Sequence, residues 1–117
     1  MTPAELKRAE ARANREVLEA RLALALRANR IAHTREFSLP GRAFRWDFGF
    51  PQARLLVEVQ GGIWKKGAHS SGAGISRDCE KAAYAAMYGW RTFGVTGRQI
   101  DSGEAVQWIE AALSVPA

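Results

Sequence analysis

The 117-residue sequence predicts a single α/β domain, spanning residues 1–117, with the element order αβββαβα and a mixed central sheet flanked by helices. A long capped stretch without internal Gly or Pro opens the chain, three strand-like segments follow, and a helical segment separates the third strand from a fourth. Strands three and four should therefore be parallel with a right-handed crossover, whereas the first three meander antiparallel. A chain of this length supports one hydrophobic core.

The first element is a helix that continues to about Asn29. Thr2-Pro3-Ala4-Glu5 forms a capping box with proline at the first helical position. Glu19 projects beside the apolar stripe of this helix, so its carboxylate either faces the sheet or pairs with a nearby arginine, Arg15 or Arg27. The stripe recurs every four residues, at Leu18, Leu22 and Leu26.

The second strand carries an acidic residue among aromatic ones. A first strand near residues 36–39 ends at the turn Pro40-Gly41, and the second strand covers Phe44–Phe50. Its aromatic residues occupy alternate positions and predict one buried face, which leaves Asp47 on the other face. These aromatic residues are Phe44, Trp46, Phe48 and Phe50.

A proline-opened turn at residues 51–54 leads into a third strand that ends in Glu58-Val59-Gln60. A hairpin centred between residues 52 and 53 sets Asp47 opposite Glu58, with Cβ atoms about 5 Å apart, and Gln60 on the same face. Two such carboxylates repel each other unless a proton or cation lies between them, and Mg²⁺ prefers oxygen ligands. The pattern predicts a metal site; the alternative is a pair of solvated carboxylates on the wet face of a hairpin.

A glycine-rich stretch, residues 61–74, follows the third strand and carries Trp64, Lys65, Lys66 and His69. Long stretches without regular structure are often functional loops, and lysines beside an aromatic ring suit a nucleic-acid backbone. The alternative is a solvated loop with its tryptophan packed on the core.

Two more helices and one strand complete the chain. Ile75–Tyr88 is a helix closed by Gly89, with a small-residue face predicted to pack on the sheet. Residues 90–96 alternate as a strand, and a last helix runs from about residue 103 to 113, capped by Asp101 or Ser102. The small-residue face comprises Ile75, Cys79, Ala82, Ala83 and Ala86, and the last helix buries Val106, Ile109 and Leu113.

The charge balance favours polyanionic partners. Seventeen Lys and Arg residues against twelve Asp and Glu residues give a net charge of +5. Guanidinium groups bind phosphate oxygens bidentately, so phosphate-bearing partners are expected. One cysteine excludes an intrachain disulfide, and no zinc-type spacing, signal peptide or membrane-spanning run is present. We therefore expect a protein of the cytoplasm, in a prokaryote or a phage-infected cell.

An αβββαβ core with an aspartate on the second strand and Glu-X-Gln on the third resembles the PD-(D/E)XK nuclease superfamily over about residues 2–113. The resemblance implies a restriction-endonuclease-like fold in which Asp47, Glu58 and the Val59 carbonyl hold Mg²⁺, with Mn²⁺ as a substitute and no small-molecule cofactor. In the junction-resolving branch a helix glutamate completes the site, and this role maps to Glu19.

Two positions depart from the superfamily motif. Trp46 stands where the motif name has proline, a variable position, and Gln60 stands where it has lysine. Gln60 would orient the attacking water by hydrogen bonding, and the missing charge would come from Lys81 on the following helix or from Lys65 and Lys66 in the loop.

The small basic format is most similar to archaeal-type Holliday junction resolvases and small phage and bacterial nucleases. The resemblance implies a Mg²⁺-dependent endonuclease that cuts four-way DNA junctions. Because resolution needs two incisions and each domain carries one site, we expect a homodimer, with the apolar residues Trp90, Phe93 and Trp108 as candidates for its interface. Alternatives are a mismatch- or sequence-directed nicking or restriction-type nuclease and a non-catalytic DNA-binding module. The expected DNA-binding residues are Lys65, Lys66, His69, Arg77, Arg45, Arg8 and Arg12.

Overall fold

The computed structural model describes residues 1–61 and 72–117, and four strands within these ranges form one mixed sheet in the order β1-β2-β3-β4. Helices cover both faces, so the predicted α/β architecture is confirmed. The strands are β1 Thr34–Ser38, β2 Arg45–Phe50, β3 Leu55–Gln60 and β4 Arg91–Thr96. The helices are α1 Pro3–Ala28, α2 Gly72–Met87, α3 Gly97–Ser102 and α4 Glu104–Leu113, with a 3-10 turn at Pro51–Ala53.

Helix α1 begins and ends where the sequence predicts. The Thr2 hydroxyl accepts the Glu5 N–H at 3.1 Å, and the Glu5 carboxylate accepts the Thr2 N–H at 3.0 Å. This reciprocal capping satisfies two donors that the first helical turn leaves free. Leu22 and Leu26 are fully buried against the sheet, which anchors the second half of the helix.

The β2–β3 hairpin has the predicted register, with Phe48 opposite Val57 and Phe50 opposite Leu55. The 3-10 turn that joins the strands ends at Arg54, whose φ of 49° is left-handed. Strands β3 and β4 pair in parallel, as predicted for strands joined through a helix. The ladder ends at Phe48 and Val57, so the predicted pairing of Asp47 with Glu58 lies one step beyond the paired residues.

The aromatic residues of β2 do not share one face, so that part of the prediction is wrong. Phe48 and Phe50 pack with α1 and α4, whereas Trp46 packs with α2 and Phe44 lies beside it. The β1–β2 ladder has no pair between Glu36 and Asp47, although pairing on either side keeps the same register. Glu36, at this interruption, has a left-handed φ of 51°, and the two halves of the strand pair on either side of it face opposite sides of the sheet.

Helix α2 meets the sheet through a different face from the predicted one. Ala85 is fully buried, and Tyr84 packs edge-on against Phe44 with ring centroids 6.1 Å apart. Aromatic side chains fill this contact, whereas the small residues predicted to pack on the sheet are exposed, and Ala82 lines the cleft that contains Trp46 and Glu58. The exposed residues are Ile75, Cys79, Ala82, Ala83 and Ala86. The predicted C-terminus of α2 is confirmed, because Gly89 follows the helix with a left-handed φ of 78°.

The last helical region contains an additional helix. Thr96 caps α3 with Gln99 in a second capping box. Gly103, with a φ of 88°, then ends α3 and holds the N-cap position of α4 that was predicted for Asp101 or Ser102, while the Ser102 hydroxyl accepts the Glu104 N–H at 3.2 Å. Glycine adopts this conformation without the penalty of a Cβ atom. Within the described ranges no helix combines the length and apolar content that a membrane span requires.

Candidate active site

Asp47 lies where the β2–β3 ladder ends. The last paired residues are Phe48 and Val57, and one step further the Asp47 Oδ2 accepts the Val59 N–H at 2.7 Å. A carboxylate thus replaces a strand-to-strand backbone hydrogen bond at this fork. Bonds to charged acceptors are short and strong, so Asp47 is held in a fixed position between the two strands.

Glu58 faces α2 and contacts Lys81. The Lys81 Nζ lies 2.9 Å from Glu58 Oε2 and donates to the Arg45 carbonyl at 2.8 Å. It also lies 5.0 Å from the centroid of the Trp46 ring. Only 13% of the Lys81 side chain is exposed, so a nearly buried ammonium is fixed beside a partly buried carboxylate. This cation lies where the sequence predicts a substitute for the motif lysine, although its catalytic role stays a prediction.

The surroundings of Glu58 make its ionised form less favourable. Burial raises the pKa of Glu58 most, and the nearby carboxylates of Asp47 and Asp78 raise it further. Lys81 opposes both effects by hydrogen bonding and charge. A cation close to Glu58 would therefore stabilise the ionised form.

Glu19 is buried on the α1 side, with 10% of its side chain exposed. Its Oε1 lies 3.4 Å from the Arg35 guanidinium of β1, and its Oε2 lies 3.9 Å from Arg15. The two sequence interpretations therefore hold together, since Glu19 faces the sheet and also pairs with Arg15. Burial, followed by the charge of Asp47, raises the pKa of Glu19, whereas the two arginines lower it.

Asp47 influences both glutamates, which meet it from different sides. Glu19 pairs with Arg35 on the α1 face, and Glu58 pairs with Lys81 on the α2 face. In residues 1–61 and 72–117 no group of three His, Cys, Asp or Glu side chains is placed to hold a metal ion. The assignment of Asp47, Glu58, Glu19 and the Val59 carbonyl as Mg²⁺ ligands therefore stays a prediction.

Gln60 is exposed at the end of β3, and its side chain lies against β4. A Cβ atom at Gly94 would come within 2.9 Å of the Gln60 Nε2, so glycine at this position makes room for the amide. Gln60 lines a cleft of about 180 Å³ together with Glu58, Asp78 and Lys81. The amide predicted to orient water is thus in the same cleft as the carboxylate and the ammonium.

The predicted DNA-binding arginines lie in different settings. Arg8 and Arg12 line a cleft of about 380 Å³ beside Gln60 and Gly61. Arg45 forms an ion pair with Glu36 at 3.4 Å on the exposed strand edge. Arg77 is exposed on α2. The remaining predicted contacts, Lys65, Lys66 and His69, fall outside the described residues, as does Trp64.

Sequence reasoning did not single out two groups that contact the candidate site. Arg35 lies 5.0 Å from the Phe48 ring centroid while it pairs with Glu19, and Asp78 lines the cleft of Glu58. Asp78 lies one helical turn before Lys81, and this spacing could have indicated it. Arg35 had no comparable signal, because its position depends on the rotation at Glu36.

The three candidate interface residues differ in burial. Trp90 packs on Phe37 with centroids 5.2 Å apart, and Phe93 packs edge-on against Trp108 at 6.4 Å. Trp108 is 40% exposed, whereas Trp90 and Phe93 are half-buried. The predicted homodimer stays a prediction.

No protein-family model and no curated protein sequence matches the chain. The fold is similar to a solved structure described as the catalytic domain of the homing endonuclease I-Bth0305I, with a TM-score of 0.61. The two chains are 18% identical, and the similarity covers 81% of this chain and 91% of that chain. The two chains share a fold. At this identity the likeness concerns architecture and does not transfer individual residues.

Proposed function

We propose that this protein is a divalent-cation-dependent DNA endonuclease that hydrolyses the phosphodiester backbone. The observation that carries the proposal is the juxtaposition of Asp47 at the strand fork with the Glu58–Lys81 pair in an adjacent cleft. Carboxylates beside a fixed ammonium are suited to hydrolysis at a phosphate. The shared fold with a chain described as an endonuclease catalytic domain supports the same reaction class.

The donor set fits Mg²⁺ through two carboxylates. Asp47 raises the pKa of both glutamates, so the acidic groups repel one another, and a divalent ion would relieve that repulsion. Mg²⁺ commonly takes one or two protein carboxylates and fills its remaining positions with water and phosphate oxygens. We assign this role to Asp47 and Glu58, with the Val59 carbonyl as a further ligand and Mn²⁺ as a substitute. When bound, such an ion activates water and stabilises charge on the phosphate.

The chain's own residues supply the remaining functions. Lys81 carries a positive charge beside Glu58, where Gln60 carries none, and would stabilise negative charge that develops on the phosphate. Gln60 would orient the attacking water through its amide. Glu19, balanced by Arg15 and Arg35, would act on the α1 side of Asp47 as the third acidic group.

The basic surface beside the site supports DNA as the substrate. Arg8 and Arg12 have no hydrogen-bond or ion-pair partner in the described part of the chain, so their guanidinium groups are available for phosphate oxygens. Arg77 adds an exposed positive charge on α2, and Arg45, paired with Glu36, completes the arginines of the proposed contact set. Lys65, Lys66 and His69 complete the proposed contact set.

Two substrate classes follow from different observations. The sequence resemblance to junction-resolving enzymes favours a homodimer that cuts four-way junctions, since two incisions match a two-fold substrate. The alternative is a mismatch- or sequence-directed nicking or restriction-type nuclease, and the fold shared with a chain described as a homing endonuclease catalytic domain is consistent with it. If wild type binds DNA and cuts neither substrate, the non-catalytic DNA-binding alternative is correct.

The decisive experiment compares a labelled four-way junction with linear duplexes, with and without Mg²⁺. Asp47→Asn and Glu58→Gln should lower the cleavage rate by at least about a thousandfold while DNA binding persists. Glu110→Gln is the matched control, because Glu110 is an exposed carboxylate on α4 away from the cleft. Cleavage at the wild-type rate by either site variant would remove Asp47 and Glu58 from the reaction.

Sedimentation and cut mapping resolve the substrate question. A junction-resolving homodimer should sediment at about twice 12.9 kDa and produce paired nicks related by the junction's two-fold axis. A monomer that nicks linear duplex as readily as a junction would instead support the duplex-cleaving alternative.

A further inference from the structure

A large groove lies beside the candidate site, between α1 and the start of α3. Its volume is about 760 Å³, within the range of ligand-binding clefts, and it opens at the carboxyl ends of the parallel strands β3 and β4. One wall is apolar, formed by the partly exposed Val17 and the half-buried Leu18 of α1. The other wall carries Arg98. The groove thus combines an apolar surface with a positive charge.

Arg98 is available to bind an anion. It is exposed, and within the described residues no hydrogen bond or ion pair engages it. Arg21 also lines the groove, but its guanidinium lies 3.3 Å from Asp101. Glu104, the acidic residue in the lining, accepts the Ser102 hydroxyl at 3.1 Å. The charges of Arg21 and Asp101 offset each other. Arg98 is the lining cation without an ion-pair partner in the described residues, and Glu104, whose partner is a neutral hydroxyl, keeps its negative charge in the lining.

This groove is continuous with the clefts already described. Gln60 and Gly61 line both the groove and the cleft of Arg8 and Arg12. Gln60 also lines the cleft that contains Glu58 and Lys81. The three openings therefore meet at the end of β3, with arginine-lined clefts extending from Gln60 in two directions.

We infer that the groove binds the backbone of a DNA strand on the opposite side of the cleaved phosphate from the part that Arg8 and Arg12 contact. Arg98 binds a phosphate, and Val17 and Leu18 contact the adjacent sugar. A strand that follows this path passes the Glu58–Lys81 cleft at Gln60. This inference rests on the proposed nuclease function for the position of the cut, and it adds residues that the nuclease proposal does not use.

The first test measures affinity without cleavage. Arg98→Ala and Arg12→Ala should each weaken binding of a short labelled duplex in EDTA, and each should reduce the slope of log affinity against log salt by about 0.9, the contribution of one phosphate contact. Arg98→Lys should restore most of the slope, because it keeps the charge. Arg27→Ala is the control, since Arg27 is exposed on α1 and lines none of these clefts. Thermal unfolding checks that each variant is folded.

The second test locates the two arginines relative to the cut. After the wild-type cut is mapped, duplexes are shortened on one side or the other of that position. Arg98→Ala should bind one shortened duplex as tightly as wild type does and bind the other more weakly than wild type. Arg12→Ala should show the opposite pattern. If either arginine acted only in folding, its substitution would weaken binding of both shortened duplexes equally.

The outcomes separate this inference from the nuclease proposal. If wild type cuts DNA and Arg98→Ala binds with unchanged affinity and salt slope, the groove inference is wrong and the nuclease proposal stands. If the losses of affinity caused by Arg98→Ala and Arg12→Ala both disappear when the same side of the duplex is shortened, the proposed path is wrong. If Arg98→Ala weakens binding but wild type cuts nothing, the groove binds DNA and the nuclease proposal fails. No DNA binding by wild type would overturn both.

Discussion

The two faces of the sheet differ in how they are packed. On the α1, α3 and α4 side, fourteen of the described residues form one buried apolar cluster, which includes Phe48, Leu26 and Ile109. On the α2 side the corresponding cluster contains four buried residues, Leu39, Trp46, Leu56 and Ala85. The same α2 side carries Glu58 and Lys81. Apolar burial is therefore concentrated on one face, and the Glu58–Lys81 pair lies on the other, with Glu19 as the acidic group of the larger face.

This difference indicates a division of roles. Buried apolar area is the main favourable term in folding, so the α1 side should determine most of the free energy of unfolding. The α2 side fixes Lys81 against Trp46 and Glu58 with little apolar support. Ionisable groups held in partly desolvated surroundings commonly reduce stability in exchange for function. Substitutions matched across the two faces test this division.

The largest effect expected from truncating a side chain comes from a leucine pair. Leu26→Ala should lower the free energy of unfolding by about 3–4 kcal/mol, because it leaves a cavity among close-packed neighbours. Leu39→Ala, on the α2 side, should lower it by about 2 kcal/mol, because the smaller cluster relaxes more easily. Urea unfolding measures both. Equal losses would show that the two clusters support the fold equally.

The second effect concerns catalysis. Lys81→Met keeps the length of the side chain but removes its charge, so cleavage should slow by about a hundredfold while DNA binding persists. Loss of the ammonium also removes the group that lowers the pKa of Glu58, so the acid limb of the pH–rate profile should move to higher pH. An unchanged rate and profile would assign Lys81 a structural role and direct attention to Lys65 and Lys66.

Local sequence signals predicted most of the backbone. The Thr2 capping box, the leucine stripe and the proline-opened turn are short-range features, and all of them hold in the structure. The register of the hairpin from Phe48–Val57 to Phe50–Leu55 follows from the turn and was accessible as well, whereas the fork at Asp47 was not. Helix α3 was also accessible, because Thr96-Gly-Arg-Gln99 is a second capping box.

The remaining features depend on contacts that the sequence does not encode locally. Trp46 and Phe48 pack on opposite sides of the sheet where the β1–β2 ladder is interrupted at Glu36 and Asp47, and alternation along one strand does not predict this interruption. The orientation of α2 depends on the aromatic residues of the sheet that it meets. The sequence predicted which residues form the candidate site. It did not predict that Glu19 and Glu58 lie on opposite faces of the sheet, which only the three-dimensional structure shows.

The third effect is a pH dependence centred on Glu19, the buried acid of the larger face. Its folded pKa lies above its ordinary value of 4.5, so the folded state keeps the proton to higher pH than the unfolded chain does. Stability contributed by this group is therefore present below pH 4.5 and is lost as pH rises through the folded pKa. The unfolding free energy of wild type minus that of Glu19→Gln should decrease over this window and then become constant. A constant difference throughout would contradict the raised pKa.

The smallest expected effect lies on the outer face of α2, where sequence and structure disagree. Ala83 is exposed, so Ala83→Lys should change the free energy of unfolding by no more than about 0.5 kcal/mol. The new ammonium lies three residues after Glu80, which favours a weak ion pair along the helix. Ala85→Lys is the matched contrast, because Ala85 is fully buried and a lysine there would desolvate its charge, with a loss of more than about 4 kcal/mol. If the small-residue face packed on the sheet, as the sequence predicts, Ala83→Lys would be the disruptive substitution and Ala85→Lys the tolerated one. Urea unfolding of the two variants therefore determines which face of α2 contacts the sheet in solution.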